Sequence, residues 1–123
     1  MAAILLVEDD KAVRDVLTRM LEGAGHAVTP AADGTAALRL IDLQSFDLIV
    51  ADLLLPDTDG MQILRELRAR KSPLKMIAIS GGGRGSATDY LEMAKILGAV
   101  ETLQKPIAPA TLVAAVARVL DPA

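Results

Sequence analysis

The side chains of this sequence that could do chemistry together are acidic, joined by one hydroxyl and one ammonium. They are Glu8-Asp9-Asp10 in a run, then Asp52, Ser80 and Lys105 at wide intervals. Each follows a short apolar run closely: Ile4 to Val7 before the acids, Leu48 to Ala51 before Asp52, Met76 to Ile79 before Ser80, and Ala99 to Leu103 before Lys105-Pro106. Carboxylates brought together repel one another unless a cation lies among them, and hard oxygen donors that leave room for water suit Mg²⁺. Taken singly, an acid after an apolar run is an ordinary helix cap, and Asp10 reads as one. A lone lysine near a surface is commonly only solvated. Four polar signals after four apolar runs, with none after the remaining run at Ala27 to Thr29, fit capping poorly and a shared site well.

The elements that must position these groups follow from periodicity. The apolar runs alternate with longer amphipathic stretches, which predicts an α/β fold of five strand and helix units around a parallel sheet. The runs before Glu8, Asp52 and Ser80 are almost wholly apolar, as central strands covered on both faces should be. Ala27 to Thr29 is short and followed by Pro30, which predicts an edge. Val13, Val16, Leu17, Met20 and Leu21 form the first helical stripe, opened by Asp10 and closed by Gly23 or Gly25. Ala36, Ala37, Leu40 and Ile41 form the second, and Met61, Ile63, Leu64 and Leu67 the third, entered through Asp59-Gly60. Leu91, Ala94, Ile96 and Leu97 follow a Ser86-x-x-Asp89 capping pattern, and Leu112, Val113, Val116, Val119 and Leu120 form the fifth stripe. In such a sheet the loops leaving the carboxyl ends of the strands converge on one edge, so the polar groups should meet there.

Composition narrows the function classes. With 123 residues, 13 basic against 16 acidic and a formal charge of −3, the chain is expected to be a single domain over residues 1–123 without a direct nucleic-acid contact. It has one Phe, one Tyr and no Trp to stack on bases. A hydrophobic share of 52% is far above that of disordered chains. The absence of Cys removes disulfides, thiolate metal sites and Cys nucleophiles, and fits the cytoplasm. The apolar start reaches Glu8 too soon for a signal peptide or membrane span. The fifth helix is expected to run to within three residues of the chain's end. The glycine cluster from Gly81 to Gly85 lacks a following Gly-Lys-Ser/Thr and completes no dinucleotide fingerprint. Asp57-Thr-Asp59 has the spacing of an aspartyl-phosphate phosphohydrolase motif, but Pro56 separates it from the strand and Asp52 already occupies the strand's end. His26, the sole histidine, is expected to be a surface residue and excludes His-based triads or metal sites.

From Ile4-Leu-Leu-Val-Glu-Asp-Asp10, through Asp52-Leu-Leu-Leu-Pro-Asp-Thr-Asp-Gly60 and Ser80, to Lys105-Pro106, the chain resembles the receiver domain of two-component response regulators. The resemblance implies a flavodoxin-like (βα)5 three-layer sandwich with strand order 2-1-3-4-5. It implies a phosphoacceptor rather than an ordinary enzyme, served by a sensor histidine kinase or histidine phosphotransfer protein. Asp52 looks like the phosphoacceptor, Ser80 the switch hydroxyl and Lys105 the ion-pairing lysine. Glu8, Asp9 and Asp52 look like Mg²⁺ ligands, completed by the backbone carbonyl of Leu54. Pro56 and Gly60 frame the turn after Asp52, and Lys105-Pro106 should be joined by a cis peptide.

The departures from the family pattern carry expectations too. Thr102 stands where an aromatic usually signals phosphorylation, so an aromatic flip cannot operate there, and Ile107 replaces the usual aromatic after Lys-Pro. Gly81 follows the switch hydroxyl in place of the common Ala, and Tyr90 is the only aromatic near enough to report on that region. Leu54 and Gly82 offer no side chain to orient an attacking water, which predicts slow loss of the phosphoryl group. Output is expected to pass through contact with another protein, through phosphate relay, or through an effector domain if the chain is a fragment. The expected downstream partner is a protein docking on the face of helix four, strand five and helix five, with the chain a monomer or weak homodimer. The alternative is a degenerate receiver that binds partners without being phosphorylated.

Overall fold

In the computed structural model, residues 2–53, 60–80 and 87–121 are described, the side chains of 87–91 excepted. Expectations resting on Leu54, Pro56, Asp57, Asp59, the run from Gly81 to Gly85, the Ser86-x-x-Asp89 cap, Tyr90 and the Leu91 side chain therefore lie outside the described residues. The strands are β1 (Ala3–Val7), β2 (Ala27–Ala31), β3 (Leu48–Asp52), β4 (Lys75–Ser80) and β5 (Glu101–Gln104). The helices are α1 (Lys11–Gly23), α2 (Gly34–Leu43), α3 (Gly60–Ala69), α4 (Ala87–Ile96) and α5 (Pro109–Leu120). The sheet is parallel throughout, in the order β2-β1-β3-β4-β5.

Strand alternation divides the core in two. Leu5, Val7, Ile49, Ala51, Met76 and Ala78 face α2, α3 and α4, while Ile4, Leu6, Leu48, Val50, Ile77 and Ile79 face α1 and α5. All twelve side chains are essentially out of solvent, and truncating any of the larger ones to Ala is worth about 2–5 kcal/mol. Covered on both sides, β1, β3 and β4 have no polar row to spare. That is why their polar residues stand at the strand ends.

The helix boundaries follow from capping. Asp10 accepts the Val13 N–H and starts α1, and Asp33 does the same for α2 with Ala36 N–H. At the far end of α1, Gly25 takes φ +95° while Gly25 N and His26 N donate back to Glu22 O and Leu21 O. His26 is half-buried rather than a plain surface residue, its Nδ1 accepting the Ala2 N–H across the start of β1.

Four expectations need correction. Strand two runs on to Ala31 and includes Pro30, paired in register with Leu6; an edge strand tolerates the missing donor. Strand five begins at Glu101, not Ala99, because Gly98 (φ +114°) ends α4 and Ala99 N still donates to Ala94 O. Val16 is 49% exposed and Ile96 76% exposed, whereas helical periodicity predicts both on buried stripes. Leu17 and Leu21 take the centre of the α1 face, and Ala94 with Leu97 that of α4, leaving Val16 and Ile96 on the flanks.

Candidate functional site

The strand register brings the polar groups to one edge. Val7 pairs with Ala51, Asp52 with Ile79 and Ser80 with Gln104, so Glu8, Asp52, Ser80 and Lys105 leave the sheet side by side. Glu8 continues β1 by donating its N–H to Ala31 O. Its carboxylate is buried, with Oε1 accepting the Asp10 N–H at 3.2 Å and Oε2 the Lys105 ammonium at 2.7 Å. Asp52, buried at the end of β3, accepts from the same Lys105 Nζ at 2.6 Å through Oδ2. Lys105 is positioned by its backbone, which donates to Ser80 O, and by the cis Lys105-Pro106 bond that turns the chain into α5. Ser80 itself is buried at the end of β4.

Two opposed effects set the protonation of this group. Burial raises the Glu8 pKa above the ordinary carboxylate value, and the hydrogen bonds from Lys105 and the Asp10 N–H only partly offset it, with the nearby Asp52 charge adding to the rise. Burial works against the charge on Lys105, yet its hydrogen bonds to Asp52 and Glu8 prevail and hold its pKa above the usual lysine value. One ammonium thus spans two buried carboxylates. Asp9 adds a third, exposed one. A carboxylate oxygen from each of Glu8, Asp9 and Asp52 lies within 4.8 Å of the others, a spacing and a donor set that fit one small hard cation.

Gly60 supports this edge from below. A Cβ there would stand 2.5 Å from the Asp52 carbonyl oxygen and 3.0 Å from Leu53 Cα, and Gly60 N–H donates to Leu53 O. Only a glycine lets α3 start against the backbone that carries Asp52. Thr102 is half-buried in β5, paired with Ala78, and Glu101 beside it is bound to Arg118 of α5 at 3.1 Å.

Two features of the site escape the motif. The first is Arg14, whose Nη1 donates to Glu8 O at 2.8 Å and Asp9 O at 3.4 Å. The signal that could have found it is geometric: helical side chains lean toward the N-terminus, so a residue in the second half-turn of α1 reaches back over the acidic run. The second is an apolar hollow of about 570 Å³ between α1 and the turn after Lys105, lined by Val13, Val16 and Met20 on one side and Pro106 and Ile107 on the other. Exposure of Val16 belongs to this hollow.

The sequence and the fold have relatives among known proteins. The family model for the response regulator receiver domain matches residues 4–117. Regulatory protein VanRc of Enterococcus gallinarum is 35% identical over 114 residues, which are 92% of this chain and 47% of that protein. Transcriptional regulatory protein FixJ of Bradyrhizobium diazoefficiens is 36% identical over 103 residues, 84% of this chain and 49% of that one. The chain spans about half the length of the curated relatives it matches. A response regulator receiver domain protein from Clostridium thermocellum superposes with a TM-score of 0.90 at 28% identity, covering 99% of this chain and 96% of its own.

Proposed function

The chain belongs to the response regulator receiver domain family, and from that premise we propose that it is a phosphorylatable switch of two-component signalling whose phosphoacceptor is Asp52. The observation that carries the reading is the Lys105 ammonium, 2.6 Å from Asp52 and 2.7 Å from Glu8, beside the Asp9 carboxylate. A carboxylate oxygen of Asp52 attacks the phosphorus of a phosphohistidine on a sensor kinase or phosphotransfer protein. The O–P bond forms as the N–P bond breaks, and the electron pair returns to the imidazole. Such a transfer is mostly positioning and neutralisation of charge. Lys105 brings its ammonium to the oxygens of the incoming group, and the Ser80 hydroxyl donates to one of them. Glu8, Asp9 and Asp52, with the Leu54 carbonyl, would hold Mg²⁺, which when bound supplies positive charge to the carboxylates and the phosphoryl oxygens.

The hydrogen bond from Ser80 is what biases the loop and helix beyond it, and so the face of α4, β5 and α5 that a downstream protein reads. Thr102 makes that coupling work without an aromatic rotamer. Residues 1–123 act as one cytoplasmic domain, monomeric or weakly dimeric, whose chemistry is confined to gaining and losing its own phosphoryl group. Gly60 and Pro106 shape the backbone around the site.

The test is intact mass after incubation with a small acyl phosphate. One phosphoryl group is expected in the presence of Mg²⁺ and none after its chelation, and Asp52→Asn should abolish labelling. Full labelling of the Asn variant sinks the assignment of Asp52. A parent protein that takes up nothing is a phosphorylation-independent interaction module instead.

A further inference from the structure

Three residues, Glu8 to Asp10, carry the chain from the last residue of β1 to the first turn of α1. Two of their three N–H groups are held: Glu8 N–H binds Ala31 O, and Asp10 N–H binds the Glu8 side chain. Their carbonyls are not covered by either element. The ladder of β1 stops at Val7, and the first carbonyl that α1 accepts through is Asp10 O, from Arg14 N. The carbonyls of Glu8 and Asp9 are met by the Arg14 guanidinium, at 2.8 and 3.4 Å. Arg14 is half-buried, and among the described residues it forms no ion pair. Among the described residues this cation therefore pairs with no carboxylate and binds instead the backbone that bears two of the proposed ligands.

We propose that Arg14 is a positioning residue of the cation site: its guanidinium staples the turn from β1 to α1 so that the Glu8 and Asp9 carboxylates converge on Asp52. This rests on the Mg²⁺ reading given above. Glu8 O and Asp9 O belong to the two peptides that flank Asp9, so holding both fixes the backbone angles that aim the Asp9 carboxylate relative to that of Glu8. Hydrogen bonds to a charged donor are about twice as strong as neutral ones, enough to fix which way those peptides face. Outer partners of this kind orient the ligands of a metal without touching it.

The proposal and a purely electrostatic role predict opposite signs. As a nearby positive charge, Arg14 would repel Mg²⁺, and its removal would tighten binding. As a staple, it pre-aims the ligands, and its removal weakens binding. Arg14→Met keeps the length and the aliphatic stem while deleting the donors and the charge, and Arg14→Lys keeps the charge with one donor head. Mg²⁺ is titrated directly by calorimetry, with no phosphodonor present, and thermal melts in chelator confirm that each variant is folded.

The expected result is a dissociation constant raised about tenfold in Arg14→Met, the low end of what outer partners contribute, with Arg14→Lys between it and the parent. Unchanged or tighter binding by Arg14→Met overturns the proposal while leaving the cation site in place. If Arg14→Met is unfolded in chelator, Arg14→Lys decides: binding equal to the parent overturns the staple, and weaker binding by a folded Lys variant supports it. A parent protein that binds no Mg²⁺ overturns both this inference and the reading it rests on.

Discussion

At the scale of single residues, the decisive contact is the one ammonium shared by two buried carboxylates. Removing one partner from a buried ion pair leaves the other charge uncompensated, at a cost of about 3–5 kcal/mol, although a partly exposed lysine argues for the lower end. Lys105→Met should therefore lower the melting temperature in chelator, and Mg²⁺ should recover more stability in this variant than in the parent, because an added cation takes over what the lysine neutralised. Equal melting temperatures for variant and parent in chelator would show that Lys105 does not hold the carboxylates. Glu8, Asp9, Asp52 and Lys105 are legible in the sequence because their types are informative and each stands just past an apolar run. Arg14 is not, since its partners are peptide carbonyls that any residue possesses, and no side-chain pattern marks them. The pairing of Lys105 with Glu8 as well as Asp52 is likewise hidden, because it depends on how far each carboxylate reaches beyond its strand.

Elements are held to the sheet at points where glycine is required by space or by φ, and these can be tested against one another. Gly98 closes α4 at φ +114°, and a Cβ there would meet Arg68 Nη1 at 2.5 Å, the atom that donates to Leu97 O and caps the helix from α3. Gly98→Ala should cost about 1–3 kcal/mol through backbone strain alone. Gly60→Ala drives a methyl into the Asp52 carbonyl, a backbone atom that cannot swing aside, and should cost about 2–4 kcal/mol while also weakening Mg²⁺ binding. Gly23→Ala is the control: its Cβ meets nothing within 4 Å and its φ is not positive, so stability should hold or rise by about 0.4–1 kcal/mol. Denaturant unfolding of the three variants checks the order, and a Gly60→Ala protein as stable as Gly23→Ala would refute the close approach of α3 to Asp52. The strands β1, β3 and β4 were readable as unbroken apolar runs because each is covered on both faces. The start of β5 was not, because Ala99 and Val100 are apolar by type but serve the end of α4 and a single bond to Met76 O. Val16 and Ile96 show the same limit: periodicity marks a stripe wider than the area a neighbouring helix covers.

For the whole molecule, periodicity predicts five strands but not their order, which entered only through the likeness to a known family. The order matters because it decides what surrounds the site. With β1 and β3 at the centre, Asp52 and Glu8 lie next to each other, and α1 and α5 share the side of the sheet from which Lys105 reaches them. The apolar hollow between α1 and the turn at Pro106 opens on that side, with Lys105 in its wall. On the opposite flank, exposed Met93, Ile96 and Val100 mark the end of α4 and the approach to β5. On the proposed function, donor and downstream partner would meet separate surfaces, one beside Asp52 and one reached through Ser80. If the phosphodonor protein covers the hollow, a charge placed there should block it without touching the chemistry. Val16 is half exposed and outside the packed stripe, so Val16→Glu should leave stability within about 0.5 kcal/mol of the parent. Labelling by a small acyl phosphate should proceed at the parent's rate, whereas transfer from a phosphohistidine protein should slow at least about tenfold, since burying an unpaired carboxylate in an interface costs more than 1.4 kcal/mol. Ile96→Glu on the other flank should slow neither reaction. If Val16→Glu slows both donors equally, the substitution has disturbed the site itself, and if it slows neither, the donor approaches Asp52 from another side of the sheet's edge.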